Sequence, residues 1–326
     1  MAAKIISMIN WKGGVGKSTL TLHLGVGIKR RKKDTRILLV DLDPQCNLSF
    51  LALGVKKYIK KVYHEKQPTL KEIFSDYFAD KTSNISSVVV SQPIASSPGK
   101  VWKGVDVLLS HQELVLIDLQ LARERRSGSS HKEETRYELN KLSIIFNALN
   151  QVLDDYEYIF LDCPPNINLV TQNALFASTH YIIPAIPDFL STIGISLIRQ
   201  KMEDLNKDFK SMIDYSELEI PFTATEFSGI IFNMVDEYGG GPKDTHKKTI
   251  DSVKKQHIGY VFENYLTDGD GIAVAAENNY TVYSHNHLPK SKDNAKKQAN
   301  YLDTVSYTHL RAHETRHDLV CRLLLE

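Results

Sequence analysis

Cysteine is scarce in this 326-residue chain: Cys46, Cys163 and Cys321 are scattered and form no Cys-x-x-Cys pair. That is too few for a disulfide framework and the wrong spacing for a zinc ribbon, and it suits a reducing compartment. Long apolar runs are missing as well, so nothing approaches the roughly 18 residues that span a bilayer. The apolar stretch before Asn10 is too short for a signal peptide, and the expectation is a cytoplasmic protein. Charge of one sign is equally absent, since 40 Lys+Arg against 39 Asp+Glu leave a net charge of +1. This excludes a polybasic coat for nucleic acid and an acidic solvating tail, so any polyanion must be met by a local patch. There is no internal repeat and no long low-complexity segment. What remains is ordinary globular composition, 42% hydrophobic and 24% charged, long enough to bury a large core.

Residues 305–326 (VSYTHLRAHETRHDLVCRLLLE) stand apart. His309, His313 and His317 recur at i, i+4, i+8, a spacing that suits a helical tail or, less directly, a metal site. The segment also resembles translated sequencing-adapter sequence. It is therefore read as a non-native tail, with residues 1–304 as a single domain.

Within that domain, apolar runs alternate with helical patterns. Strands are predicted at residues 3–9, 37–42, 105–110, 158–161, 181–186 and 228–234. Helices are predicted at 18–30, near 69–79, over most of 111–155 with a polar break at 126–132, and at 193–213 and 243–257. Residues 238–242 are a loop, and 54–100 are polar, irregular and insertion-like. Continuous apolar strands between helices predict an α/β fold with a central, mainly parallel sheet covered by helices on both faces.

The strongest chemical signal is Gly13-Gly14-Val15-Gly16-Lys17-Ser18-Thr19, between the first strand and first helix. Glycines there let backbone N–H groups converge on an anion, and the helix amino terminus adds a favourable dipole. Lys17 is placed to reach β- and γ-phosphates, and the Ser18 hydroxyl to ligate Mg²⁺. Asn10 occupies the position where the common motif begins with glycine. Asp41 and Asp43 end the second strand, and Asp162 ends the run YIFLDCPP; such strand ends form the ligand crevice of an open α/β sheet. One carboxylate can serve the metal and another a water, which is what phosphoryl transfer needs. The bland alternatives are a glycine-rich turn, a pair of solvated aspartates and a turn aspartate before Pro164.

Together these motifs resemble the ParA/MinD family of P-loop ATPases. Lys12 to Thr19 (KGGVGKST) is similar to its deviant Walker A, DLDPQCN at 41–47 to the ParA branch's second motif with Cys46 where glycine is usual, and DCPP at 162–165 to its Walker B. The likeness covers about residues 3–304 and includes Asn173-Ala174-Leu175, residues 182–194 and IIFNMVD at 230–236; residues 54–100 match least. It implies ATP and Mg²⁺ as ligands, with residues 13–19 (Gly13, Gly14, Val15, Gly16, Lys17, Ser18, Thr19) binding nucleotide. It implies that Lys12 reaches across a nucleotide-sandwich homodimer, Asp43 orients the hydrolytic water, Ser18, Asp41 and Asp162 serve the metal, and Asn233 contacts adenine.

The function so implied is a partition ATPase: dimeric with ATP, bound to duplex DNA without sequence preference, and stimulated by a centromere-binding partner protein. Localisation would be cytoplasmic and nucleoid-associated, with no membrane expected. Three basic patches are available: residues 29–33, then Lys243, Lys247, Lys248, Lys254 and Lys255, then Lys290, Lys292, Lys296 and Lys297. The second and third are favoured. The alternatives are a MinD-like membrane-associated positioning ATPase, whose mark is a basic amphipathic carboxyl-terminal helix, an iron-protein-like ATPase with bridging cysteines, and an inert nucleotide-binding scaffold. Trp11, beside the loop, is expected to be packed.

Overall fold

The computed structural model describes residues 3–126, 128–256 and 259–314. Its strands are β1 (Lys4–Met8), β2 (Ile37–Asp41), β3 (Val89–Val90), β4 (Ala95–Ser97), β5 (Lys100–Val101), β6 (Val105–Leu108), β7 (Tyr158–Asp162), β8 (His180–Ala185), β9 (Glu226–Phe232), β10 (Glu237–Tyr238) and β11 (Gly241–Pro242). Seven of them form one sheet in the order β3-β6-β2-β7-β1-β8-β9, and two hairpins, β4-β5 and β10-β11, lie apart. Every pairing in the sheet is parallel except the edge pair β3-β6. All five residues of β2 and of β7 are buried, as expected of apolar strands covered on both sides.

The helices are α1 (Lys17–Arg31), α2 (Asn47–Leu53), α3 (Val55–Ile59), α4 (Leu70–Phe78), α5 (Ile85–Val88), α6 (Leu114–Arg123), α7 (His131–Leu142), α8 (Ile144–Asn150), α9 (Leu169–Ala177), α10 (Phe189–Ser216), α11 (Asp244–Lys255), α12 (Asp270–Glu277) and α13 (Lys292–Glu314). Alternate residues of β2 separate two apolar layers. Ile37 and Leu39 join α1, α2, α12 and α13, whereas Leu38 and Val40 join α4, α6, α8 and α9. A third cluster joins β8 and β9 to α7, α10 and α11, and Trp11 packs against it as expected.

Four segments differ from the sequence reading, the first being 238–242, read as a loop and folded into the β10-β11 hairpin. Residues 54–100 are not mostly loop: α3 runs into a π turn at Lys60–His64, and α5 and β3–β5 follow. Elements this short have little periodicity of their own and form through tertiary packing. Tyr58 anchors α3, being buried and donating its hydroxyl to the Ser110 carbonyl at 2.9 Å. Helix α10 begins at Phe189 rather than 193, because Asp188 caps it by accepting from Ser191 N–H at 2.8 Å.

Helix α13 continues past Thr304, and Val305 and Ser306 are buried. Gly27 of α1 lies where a Cβ would come within 2.5 Å of Ser306 Oγ, so a glycine permits this close helix crossing. The proposed histidine cluster lies outside the described residues at His317, and nothing is described of the His309 and His313 side chains. Among the described residues no helix is long and apolar enough to cross a membrane.

Candidate nucleotide site

Strand order and register create the site. Because β7 lies between β1 and β2, Asp162 pairs in register with Met8 on one side and Asp41 on the other. The glycine loop that follows β1 therefore passes over the ends of two strands that carry carboxylates. Gly14 and Gly16 take left-handed φ values of 75° and 85°, which a glycine adopts without strain. At Gly16 a Cβ would also fall 2.1 Å from Asn233 Nδ2.

Polar side chains fasten this loop. Asn10 donates through Nδ2 to the Pro184 carbonyl at 2.7 Å and accepts from Lys12 N–H at 2.8 Å. That turn accounts for asparagine where the common motif has glycine. Asn233 is buried and donates its amide to the Val15 carbonyl at 3.0 Å. It braces the loop and does not line the cavity, which Met234 does. His23 ties α1 down. Its Nε2 accepts from Val282 N–H at 3.2 Å, so its proton sits on Nδ1, facing the Thr19 carbonyl at 2.7 Å. Burial drives its pKa down to about 4 and keeps the ring neutral.

A cavity of about 1050 Å³ opens above the loop, lined by residues 13–19, Asp43 and Gln45, with α2, the start of α3 and the end of α12 as walls. That volume is in the range of nucleotide-sized clefts. The Lys17 ammonium donates to the Asn10 carbonyl at 3.0 Å. Burial lowers its pKa, against the pull of Asp162 and Asp43. Asp43 lines the cavity, with Oδ1 accepting from Gln45 N–H at 2.9 Å.

Asp41 is fully buried at the end of β2. Its oxygens accept from Ser49 N–H (2.8 Å), Ser49 Oγ (2.7 Å) and Asp43 N–H (3.1 Å), and it does not line the cavity. It holds Asp43 and the first turn of α2 in place. Burial pushes its pKa up to about 7, with the Ser49 and Asp43 hydrogen bonds opposing. Asp162 is the reverse case. It lies fully buried beneath the loop, and neither oxygen has a hydrogen-bond partner. Burial, then the charge of Asp41, raises its pKa well above the ordinary range. Ser18 and Lys17 are near enough to oppose that rise, though Ser18 closes no hydrogen bond to it.

A buried carboxylate with no partner is costly unless a cation is near. Asp162 beneath the Ser18 hydroxyl therefore fits Mg²⁺, which needs only one or two protein ligands beside phosphate oxygens and water. Among the described residues no group of three or more His, Cys, Asp or Glu could hold a metal alone. Cys46 and Cys163 are buried free thiols, so the described cysteines present no bridging pair at the surface. Cys46 has a φ of 58°, which explains why glycine suits that position: a left-handed residue with a Cβ costs about 1–2 kcal/mol.

The basic patches separate cleanly. Lys29 donates to the Thr35 carbonyl at 2.8 Å, and Arg30 and Arg31 pair with Asp303, so the 29–33 run fastens α1 to its surroundings. On α11, Lys247, Lys248, Lys254 and Lys255 are exposed and have no ion pair among the described residues. Lys290, Lys292 and Lys296 are exposed too, whereas Lys297 pairs with Glu237. Sequence reasoning missed Ser49, Lys56 and Lys57, the last two in the cavity wall, and Asp188, which pairs with Lys12 at 2.6 Å. Only the Asp188 cap had a local signal, a capping residue ahead of a helical run.

The AAA domain family model matches residues 3–215. A ParA family protein of Chlamydia trachomatis is 32% identical, over 59% of this chain and 62% of its own length. The chromosome-partitioning ATPase Soj of Treponema pallidum is 28% identical over 72% of each. For other curated relatives the chain spans less than two thirds of the length, 66% for one of Methanocaldococcus jannaschii and 58% for one of Mycobacterium tuberculosis. The ATP complex of a Cyanothece McdA variant superposes with a TM-score of 0.65 at 16% identity, covering 92% of this chain and 96% of that one, which shows a shared fold.

Proposed function

This chain belongs to the AAA domain family, and from its similarity to ParA and Soj relatives we propose that it is an ATP-dependent partition switch. With ATP it forms a homodimer that grips duplex DNA without sequence preference. Hydrolysis, stimulated by a centromere-binding partner protein, returns it to the free state. The observation that carries this reading is the orphaned Asp162 carboxylate beneath Ser18, in a loop whose Lys17 lies at the cavity floor.

The residues divide the work as follows. The backbone N–H groups of residues 13–19 cradle the phosphates, and Lys17 neutralises β- and γ-oxygens. Ser18 and Asp162 would hold Mg²⁺, which when bound would supply charge neutralisation at the transferring phosphoryl group. Asp43, fixed by Asp41 and Gln45, orients a water toward the γ-phosphorus. The new P–O bond forms as the bond to the β-phosphate oxygen breaks, giving ADP and phosphate. Lys12 reaches the partner's phosphates in the dimer. Asn233 acts on the loop, and the adenine contact moves to its neighbours.

The DNA-binding surface is assigned to the unpaired lysines of α11 and the start of α13. A non-specific grip needs only Lys or Arg against phosphates, and each contact adds about 0.9 to the slope of log affinity against log salt. Replacing Lys247, Lys248, Lys254 and Lys255 with glutamine should weaken ATP-dependent duplex binding at least ~10-fold and flatten the salt slope by about 1 for each contacting lysine. Fluorescence anisotropy with a mixed-sequence duplex measures both. Unchanged affinity and slope would remove α11 from the surface.

A further inference from the structure

The lysine read as crossing the dimer is already committed within its own protomer. Lys12 Nζ lies 2.6 Å from Asp188 Oδ2. Its backbone N–H is fixed by Asn10, so the side chain is the part that can move. Lys12 does not line the cavity, which begins at Gly13. We propose that Asp188 is a positioning residue that holds Lys12 in its own protomer and thereby sets how readily the ATP dimer forms. The inference rests on the reading above that Lys12 reaches across the dimer.

Asp188 is suited to release its partner without disturbing the fold. It caps α10 through Ser191 N–H at 2.8 Å, and a carboxylate at a helix amino terminus is favoured by the dipole. Burial opposes its charge, but the Lys12 and Ser191 hydrogen bonds outweigh that and hold its pKa below the ordinary value. When Lys12 leaves, the cap and the dipole still satisfy the carboxylate. The pair is also weak enough to compete with phosphate. Its side chains are 43% and 36% exposed, and pairs so exposed shift an equilibrium by only about 1.4- to 5-fold. A symmetric dimer opens two such pairs, so the effect on dimerisation is roughly the square, about 2- to 30-fold.

Asparagine caps a helix as well as aspartate does, so Asp188→Asn removes the charge and keeps the cap. Serine provides a second cap-retaining variant if asparagine disturbs folding. The experiment is sedimentation of the full chain over a concentration series with Mg²⁺ and a non-hydrolysable ATP analogue. It compares wild type, Asp188→Asn, Lys12→Ala and the double variant, with melting temperature measured alongside. The expected result is half-dimerisation of Asp188→Asn at about 2- to 30-fold lower concentration than wild type, at an unchanged melting temperature, with no such gain when Lys12→Ala is also present. Dimerisation of Asp188→Asn at the wild-type concentration overturns the proposal, as does a gain that survives Lys12→Ala. A wild-type chain that stays monomeric throughout overturns the dimer reading itself and this inference with it.

Discussion

Replacing Asp43 with alanine should stop the proposed ATP turnover and leave the proposed ATP-dependent dimerisation in place. Asp43 is the one carboxylate of the three that lines the cavity. It is held from two sides, by Gln45 N–H on its own Oδ1 and by Asp41 on its backbone N–H. A group positioned this rigidly can orient water, and losing such a group typically costs about 10²–10⁴-fold in rate. The phosphate cradle does not involve its side chain, so nucleotide binding and dimerisation should persist. Single-turnover hydrolysis beside light scattering separates the two effects. Normal turnover in Asp43→Ala would end the water-positioning assignment.

Lys17→Ala should abolish productive nucleotide binding. Lys17 is buried, donates to the Asn10 carbonyl, and feels both Asp162 and Asp43. Without it Asp43 in the lining and Asp162 behind the loop lose the buried cation that faces them, which disfavours a triphosphate at the loop. A ligand at 100 times its Kd stabilises a protein by about 2.7 kcal/mol, on the order of 5 °C in melting temperature for a chain of this size class. The wild type should show that Mg²⁺-ATP shift and Lys17→Ala should show none. A retained shift would mean that the phosphates are held elsewhere.

The parts of this site that could be read from sequence are those whose signal is local. The glycines of the loop, the apolar runs of β1, β2 and β7, and the aspartates at strand ends announce themselves within a few residues. Asp41, Asn233 and Lys12 were legible as polar residues in motifs, but their partners were not. Asn233 meets Val15 218 positions away and Lys12 meets Asp188 176 positions away. The partner of Asp41 was hidden for a different reason. Ser49 is only 8 residues on, yet nothing in the pattern of α2 marks it as the donor that occupies both a backbone and a hydroxyl bond. The 54–100 region stayed opaque because its short elements owe their existence to Tyr58 and similar anchors rather than to periodicity. The basic run at 29–33 shows the converse, a strong local signal that packing consumes.

An ATP-controlled grip on DNA is what the proposed switch requires. It is tested most directly by binding of the full chain to a mixed-sequence duplex, with Mg²⁺-ATP against Mg²⁺-ADP, across a salt series. Full length matters because Val305 and Ser306 are part of the packed interior. Binding is expected with ATP and not with ADP, weakening linearly in log–log form as salt rises. Absence of binding in both nucleotide states, with ATP-dependent dimerisation intact, would contradict it.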